Sequence, residues 1–330
     1  PEEEQQKLEP TPSSQAAARK NEHLEDIRSS HEDLSELTEE NLTEYTGLLV
    51  AHLRAAESKR DDALINDPYA ETLAGEAGAA LLSFFSKWSP SASQLSDYIA
   101  FRTRNIDEAL LHRHDDIHQV VILGSGLDSR AYRMKALSDC HVIEVDSNQS
   151  LVERKQKLLH DAGAQVLAKQ HHVVVADLAQ DMWQTGLISK GFNPKEPTFW
   201  VLEGLLYYMN QDSNVRLVKT IDALSAPHSQ LWADISGFAL VNGGGSDESE
   251  GLFRTRALKY GENNPKEGVL AMLKWQMEVT ALDGTGPTEL YGRELHPMKW
   301  HSTVSGEDKV VPWFFVTATK PQATSEAPLL

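Results

Sequence analysis

Ile117 to Asp146 read IHQVVILGSGLDSRAYRMKALSDCHVIEVD, and the fold class turns on this stretch. Gln119-Val120-Val121-Ile122-Leu123 is a run of β-branched and aliphatic residues, which predicts a strand covered on both faces. Gly124-Ser125-Gly126 follows as a tight turn, whose glycines let the backbone come close to a bound group without an intervening Cβ. Asp128-Ser129-Arg130 then offers a capping side chain for a helix. A second apolar strand, His141-Val142-Ile143-Glu144-Val145-Asp146, ends in an acid. In doubly wound sheets an acid at that place accepts hydrogen bonds from the hydroxyls of a ribose. Gly124, Gly126 and Asp146 are therefore candidate contacts of an adenosine-containing cofactor.

The dinucleotide fingerprint requires a third glycine under the pyrophosphate. Here Ser129 and Arg130 stand in that region, and Asp128 would set a negative charge beside the phosphates. No Gly-Lys-Ser/Thr follows, so the triphosphate-binding loop is absent from this turn. A cofactor with a ribose and no phosphate fits best, and S-adenosylmethionine is the common one.

Outward from this stretch the chain alternates. Upstream, apolar residues from Leu42 to Ala56 recur at helical spacing. A second helix begins at Asp67-Pro68-Tyr69 and runs to about Phe85, and a third spans Ser96 to His112. Downstream, Asn148 to Ala162 predicts an amphipathic helix. Further strands follow at His172–Ala176, Thr198–Leu202 and Gln230–Ile235, with a helix over Asp212–Leu224. Such units imply a parallel sheet with right-handed crossovers, and ligands bind beyond the carboxyl ends of its strands. Asp146, Asp177 and Glu203 all stand at those ends. Beyond Ile235 the reading is a loop from Phe238 to Gly251, a short helix over Pro265–Trp275, a sixth strand at Glu278–Leu282 and a seventh, antiparallel, at Val311–Ala318.

With 330 residues the chain can bury a large core, and 40% hydrophobic with 24% charged residues is a globular composition. A formal charge of −18 argues against a nucleic-acid partner, which needs a basic face. Residues 1–46 hold thirteen acids against four bases, and residues 1–33 are expected to form an acidic, flexible tail ahead of one domain over 34–330. The lone Cys140 is expected to be an inert thiol and suits a reducing, cytoplasmic setting. No apolar run approaches a membrane span, and the acidic N-terminus does not read as a signal peptide. His112, His114 and His118 cluster without companion ligands at metal spacing, so no metal is expected.

Read in order, Leu123-Gly124-Ser125-Gly126-Leu127-Asp128-Ser129-Arg130, Ile143-Glu144-Val145-Asp146, Ala176-Asp177-Leu178 and Leu202-Glu203-Gly204-Leu205-Leu206-Tyr207-Tyr208 resemble the leucine carboxyl methyltransferase family. The resemblance runs from about Tyr45 to Lys320 and is nearer in style to small-molecule members than to the phosphatase-methylating branch. It implies an α/β, Rossmann-like class I methyltransferase fold: a seven-stranded, mostly parallel sheet, an N-terminal helical cap and an acceptor-side insertion at about 237–289. It further implies that Arg102 pairs with the methionyl carboxylate of S-adenosylmethionine, helped by an earlier cation mapped onto Lys59 or Arg60. Gly124 would admit the cofactor, Asp146 hold its ribose, Asp177 with the Leu178 backbone read the adenine edge, and Glu203 lie near the ammonium or sulfonium.

The expected function is methyl transfer to an oxygen, carboxylate or hydroxyl, of a small molecule. A hydroxyl would benefit from a base, for which Tyr207, Tyr208, His296 and His301 are the nearest candidates. The alternatives are methylation of a protein C-terminal carboxylate, a nicotinamide-dependent oxidoreductase, and a catalytically silent cofactor-binding protein.

Overall fold

The structure, a computed structural model, describes residues 39–88, 92–242, 258–301 and 306–322; the expected tail at 1–33 and most of the glycine-rich loop after Phe238 lie outside the described residues. Three helices open the chain: α1 (Glu39–Glu57), α2 (Ala70–Trp88), kinked at Gly75, and α3 (Ala92–Leu111). Their apolar stripes form a cap. Tyr45, Leu48, Leu49 and Leu53 are buried from α1, and Tyr98, Phe101, Ile106 and Leu110 from α3.

The sheet takes β1 (Gln119–Leu123), β2 (His141–Asp146), β3 (Gln170–Val175), β4 (Thr198–Leu202), β5 (Gln230–Ser236) and β6 (Gln276–Ala281). Two short ribbons follow, β7 (Glu289–Leu290) with β8 (Arg293–Glu294), and β9 (Lys299–His301) with β10 (Asp308–Val310). The chain then re-enters the sheet as β11 (Trp313–Thr319). The seven-stranded order is β3-β2-β1-β4-β5-β11-β6. Strands β1 to β5 pair in parallel, and β11 runs antiparallel to both neighbours, as expected of the last strand.

Every residue of β1 is buried, and the register explains its unbroken apolar run. Val120 and Ile122 point into the core shared with the helical cap, while Val121 and Leu123 point into the opposite core with Trp200 and Ile221. The first face also carries α5 (Gln149–Asp161), which buries Leu151 and Leu159 in the core shared with the cap. The second face is covered chiefly by α6 (Trp183–Ser189) and α7 (Gln211–Leu224), whose residues Trp183, Leu187, Leu217, Val218 and Ile221 are buried there. Strand order reverses at β1, between β2 and β4, and this is the place where doubly wound sheets open a crevice.

Three expectations change in detail. The helix expected after the glycine turn is a single turn, α4 (Arg130–Arg133), followed by a 3-10 turn at Lys135–Leu137, because its side chains are drawn elsewhere. The Ser129 hydroxyl donates to Asp67 Oδ2 at 2.7 Å instead of capping, and Arg130 and Arg133 reach Asp107 on α3. The Pro265–Trp275 helix contracts to a 3-10 turn at Val269–Leu273, and the loop at Phe238 begins as a short helix, Phe238–Asn242.

One buried pair below the sheet edge yields a stability test. Burial opposes the charge of Glu144, but Lys155 and His171 outweigh it and hold the carboxyl at about 2. With the pair intact, its contribution is present above the ordinary glutamate value and fades as pH falls from there toward 2. Lys155→Met leaves Glu144 buried without its cation, so urea denaturation at neutral pH should show a loss of roughly 3–5 kcal/mol. A loss under about 1 kcal/mol would mean that the pair is not isolated from solvent.

Candidate cofactor and active site

The carboxyl ends of β1, β2 and β4 open into a cavity of about 700 Å³, within the range of roughly 300–1,000 Å³ usual for small-molecule sites. Its floor is the glycine turn. Gly124 N–H and Ser125 N–H both donate to the Val145 carbonyl, at 2.8 and 3.1 Å, which ties the end of β1 to the end of β2. Gly126 N–H donates to Asp146 Oδ2 at 2.7 Å, and Asn148 N–H donates to Asp146 Oδ1 at 2.9 Å. Asp146 thus pins the turn and the start of α5 together. Gly124 and Gly126 have φ of 67° and 46°, in the left-handed region that favours glycine. A Cβ on Gly126 would meet no atom within 4 Å, so the turn presents bare backbone to open space.

Behind the cavity lies a buried charge network. Arg102 Nε donates to Glu203 Oε1 at 2.9 Å, and its Nη1 lies 3.4 Å from Asp234 Oδ2; its Nη2 takes part in neither contact. Arg130 Nη1 donates to Glu203 Oε2 at 2.8 Å, so two guanidiniums grip one carboxylate. Burial would raise the pKa of Glu203, but Arg130 and Arg102 outweigh it and hold the group at about 2. Burial raises the Asp234 carboxyl despite Arg102, and Tyr98 Oη donates to it at 2.7 Å. On the α1 side, Arg54 Nε donates to Asp67 Oδ2 at 3.0 Å and Arg54 Nη2 to the Leu127 carbonyl at 2.7 Å.

Arg102, Gly124, Gly126, Asp146 and Glu203 share this cavity, and Asp177, Leu178, Tyr207 and Tyr208 complete its walls. Asp177 stands exposed at its edge, its Oδ1 accepting from Ala179 N–H at 2.8 Å. Lys59 and Arg60 stay outside: they lie past the end of α1, exposed, and pair with Glu71 and Asp62. His296 is likewise outside and exposed, beside Glu294, and the His301 side chain lies outside the described residues. Tyr207 and Tyr208 are poor bases. Burial, with Asp234 adding to it, pushes the Tyr207 phenol well above its ordinary value, and burial raises that of Tyr208. Tyr208 Oη also shares a hydrogen bond of 2.9 Å with Thr46 Oγ1.

Sequence reasoning missed Arg54, Ser125 and Lys259, all of which line the cavity. For Arg54 the signal was there. Thr43, Thr46, Gly47, Val50 and Arg54 recur at helical spacing and all line the cavity, on the side of α1 away from its buried leucines.

The model of one family, leucine carboxyl methyltransferase, matches residues 47–222, just over half of the 330-residue chain. The chain belongs to the leucine carboxyl methyltransferase family. A candidate S-adenosylmethionine-dependent methyltransferase of Mycolicibacterium smegmatis is 36% identical over 247 residues, covering 70% of this chain and 82% of that protein. Another from Streptomyces coelicolor is 38% identical over 204 residues, covering 58% of this chain and 65% of the relative. A candidate methyltransferase structure from Thermobifida fusca superposes with a TM-score of 0.51 at 16% identity, covering 82% and 94% of the two chains, and this likeness supports the fold alone. The protein is thus an S-adenosylmethionine-dependent methyltransferase with a class I fold, and the oxidoreductase and silent-protein alternatives fall away.

The residues present fit that cofactor. The methyltransferase offers bare backbone at Gly126, a strand-end acid at Asp146 and two arginines on the cavity wall.

The placement of the cations separates structural from peripheral roles. Arg54→Ala would take from the fully buried Asp67 its close cation, leaving it the Ser129 hydroxyl, Tyr69 N–H and Arg133 at 3.8 Å, and should cost roughly 1.5–3 kcal/mol in urea unfolding. Lys59→Ala and Arg60→Ala should leave the unfolding midpoint unchanged within error, because both side chains are about half exposed or more. Equal losses for all three would contradict this division.

Proposed function

We propose that this methyltransferase methylates an oxygen of a small molecule, and that a carboxylate is the acceptor its site suits best. The bound cofactor supplies a methyl group already activated on a sulfonium. What the chain contributes is holding, orienting and enclosing. Arg102, with Nη2 clear of its two ion pairs, faces the cavity where a methionyl carboxylate would lie, and Arg54 is the second cation on that wall. Asp146 retains lone pairs beyond those given to Gly126 and Asn148, and these suit ribose hydroxyls. Asp177 and the Leu178 backbone suit the adenine edge. Glu203 stays ionised and gives the cationic end of the cofactor a negative neighbour while it steers Arg102. With both reactants aligned, effective molarities of ~10⁵ M or more can supply much of the acceleration.

The observation behind a carboxylate acceptor is the state of the cavity's candidate bases. Tyr207 and Tyr208 are held protonated, Glu203 is engaged by two arginines, and no histidine is among the described lining residues. A carboxylate, with an ordinary pKa near 4, arrives as its own nucleophile and needs no proton removed. The family's named chemistry, on a leucine carboxyl, points the same way. A small molecule is favoured over a protein C-terminus because the Thr46–Tyr208 hydrogen bond ties α1 to the cavity wall and narrows the room for a bulky acceptor.

Two measurements test this reading. Transfer of a labelled methyl group to a panel of small carboxylic acids should give products that release methanol in mild alkali. Alkali-stable ethers would move the acceptor to hydroxyls, and labelling only of leucine-ended peptides would favour the protein branch. For the cofactor, Arg102→Lys keeps the charge but loses the planar fork, so calorimetry should show S-adenosylmethionine binding weakened by ten-fold or more. Methylthioadenosine, which has no carboxylate, should lose far less; equal losses would make Arg102 a wall residue only.

A further inference from the structure

Glu262 is a buried acid without a cation. Only 5% of it is exposed, and among the described residues no lysine, arginine or histidine acts on its carboxyl. Its Oε2 accepts from Tyr260 Oη and from Val269 N–H, the latter at 3.0 Å, while Oε1 has no partner. The backbone at Gly268 passes so close that an added Cβ would stand 1.5 Å from Oε2. Glu144 and Glu203, which are also buried, are each gripped by cations instead. An acid kept out of water with no partner charge is most stable while it holds its proton. Burial accordingly pushes the Glu262 carboxyl above the ordinary glutamate range, against the hydrogen bonds from Tyr260 and Val269.

The segment around this acid forms part of the cavity wall. Lys259 N–H donates to the Tyr207 carbonyl at 2.7 Å, Tyr260 N–H reaches the same carbonyl at 3.3 Å, and Lys259 and Tyr207 both line the cavity. Glu262 N–H donates to the Ser236 carbonyl at 2.9 Å, at the end of β5. Further on, Val269, Leu270 and Leu273 are buried in the second core with Leu217 and Ile221 of α7. The Glu262 side chain thus links a wall anchored on Tyr207 to a turn anchored in the core. The neighbouring elements commit their charges elsewhere. From β5, Asp234 meets Arg102 and Tyr98; on α7, Asp222 is paired with Lys320, and Asp212, Arg216 and Lys219 are exposed. Lys266, Glu267 and Lys274 flank the turn and are exposed too.

We propose that Glu262 is a positioning residue whose neutral carboxyl clamps the Lys259–Glu262 wall to the Val269–Leu273 turn, and that its ionisation loosens this side of the cavity. An acid raised on folding binds more protons in the folded state, so the clamp is firmest below the ordinary glutamate value and weakens as pH rises from there. The geometry of the wall carries the proposal; only its consequence for methyl transfer rests on the function proposed for the cavity.

Hydrogen exchange of the ligand-free protein reads the clamp, by mass spectrometry of a peptide covering Leu258–Glu262 and with the intrinsic pH dependence divided out. Protection of the Lys259 and Tyr260 amides should fall about ten-fold or more between about pH 5 and about pH 8, since each pKa unit is worth a factor of ten. Glu262→Gln, which copies the neutral acid, should keep its protection constant over the same range. An equal fall in both proteins, or no fall in either, would overturn the proposal. Should the glutamine variant fold poorly, Tyr260→Phe decides. It removes a hydrogen bond that favours the ionised acid, so the midpoint of the fall should move to higher pH, and an unmoved midpoint would sink the clamp. S-adenosylhomocysteine titrated into the unaltered protein tests the cofactor reading separately, and its failure to bind would leave the exchange result standing.

Discussion

The grip of two arginines on one buried carboxylate is the constraint around which the cavity is built. Arg102 comes from α3, Arg130 from the turn after the glycine motif, and Glu203 from the end of β4. Because each of these charges is almost wholly removed from water, none can move without leaving a partner uncompensated. The helical cap is therefore fixed over the sheet edge by charge as well as by apolar packing. The network extends through Asp107, which accepts from both Arg130 and Arg133, and through Asp234, which accepts from Gly204 N–H at 2.6 Å. Guanidinium suits this work better than ammonium, since its planar fork serves two carboxylates from one fixed position.

Such a network is a poor source of net stability, because desolvating the charges costs about as much as their attraction returns. What it supplies is a fixed position for Arg102, held by Glu203 on one side and Asp234 on the other. In the role proposed for it, toward an anionic ligand group, this guanidinium would be desolvated and aimed before the ligand arrives. The same burial pushes the Tyr207 phenol well above its ordinary value: the low-dielectric surroundings that strengthen the ion pairs also oppose a phenolate.

Much of this was legible in the chain. The strands β1, β2 and β4 begin and end within a residue of their apolar runs, because strands buried on both faces carry a signal that turns cannot imitate. The two ribbons were not legible, since strands of two or three residues have no periodicity to read. The resemblance maps the cation that helps Arg102 onto Lys59 or Arg60, yet both sit beyond the last turn of α1. Arg54, one turn earlier, is the one whose helical phase carries it to Asp67 and the cavity. Cys140, expected to be an inert thiol, is fully buried, and burial pushes its thiol up to about 12.

Asp146 shows why a strand-end acid is ambiguous in sequence and why the ambiguity is physical. Capping and ligand binding look like rival explanations, because either one would account for an acid at that position. In the structure the helix cap is Asn148, whose side chain accepts from Leu151 N–H, while Asp146 accepts from Gly126 N–H and Asn148 N–H and lines the cavity as well. Two backbone donors use only half of the lone-pair sites of a carboxylate, and they fix both oxygens in place. A ligand hydroxyl donating to this group meets an acceptor that has no rotamer freedom left to lose. These two bonds are therefore what would make the acid a good ligand-binding group, and a substitution that broke them would also loosen the turn on which Gly124 and Gly126 sit.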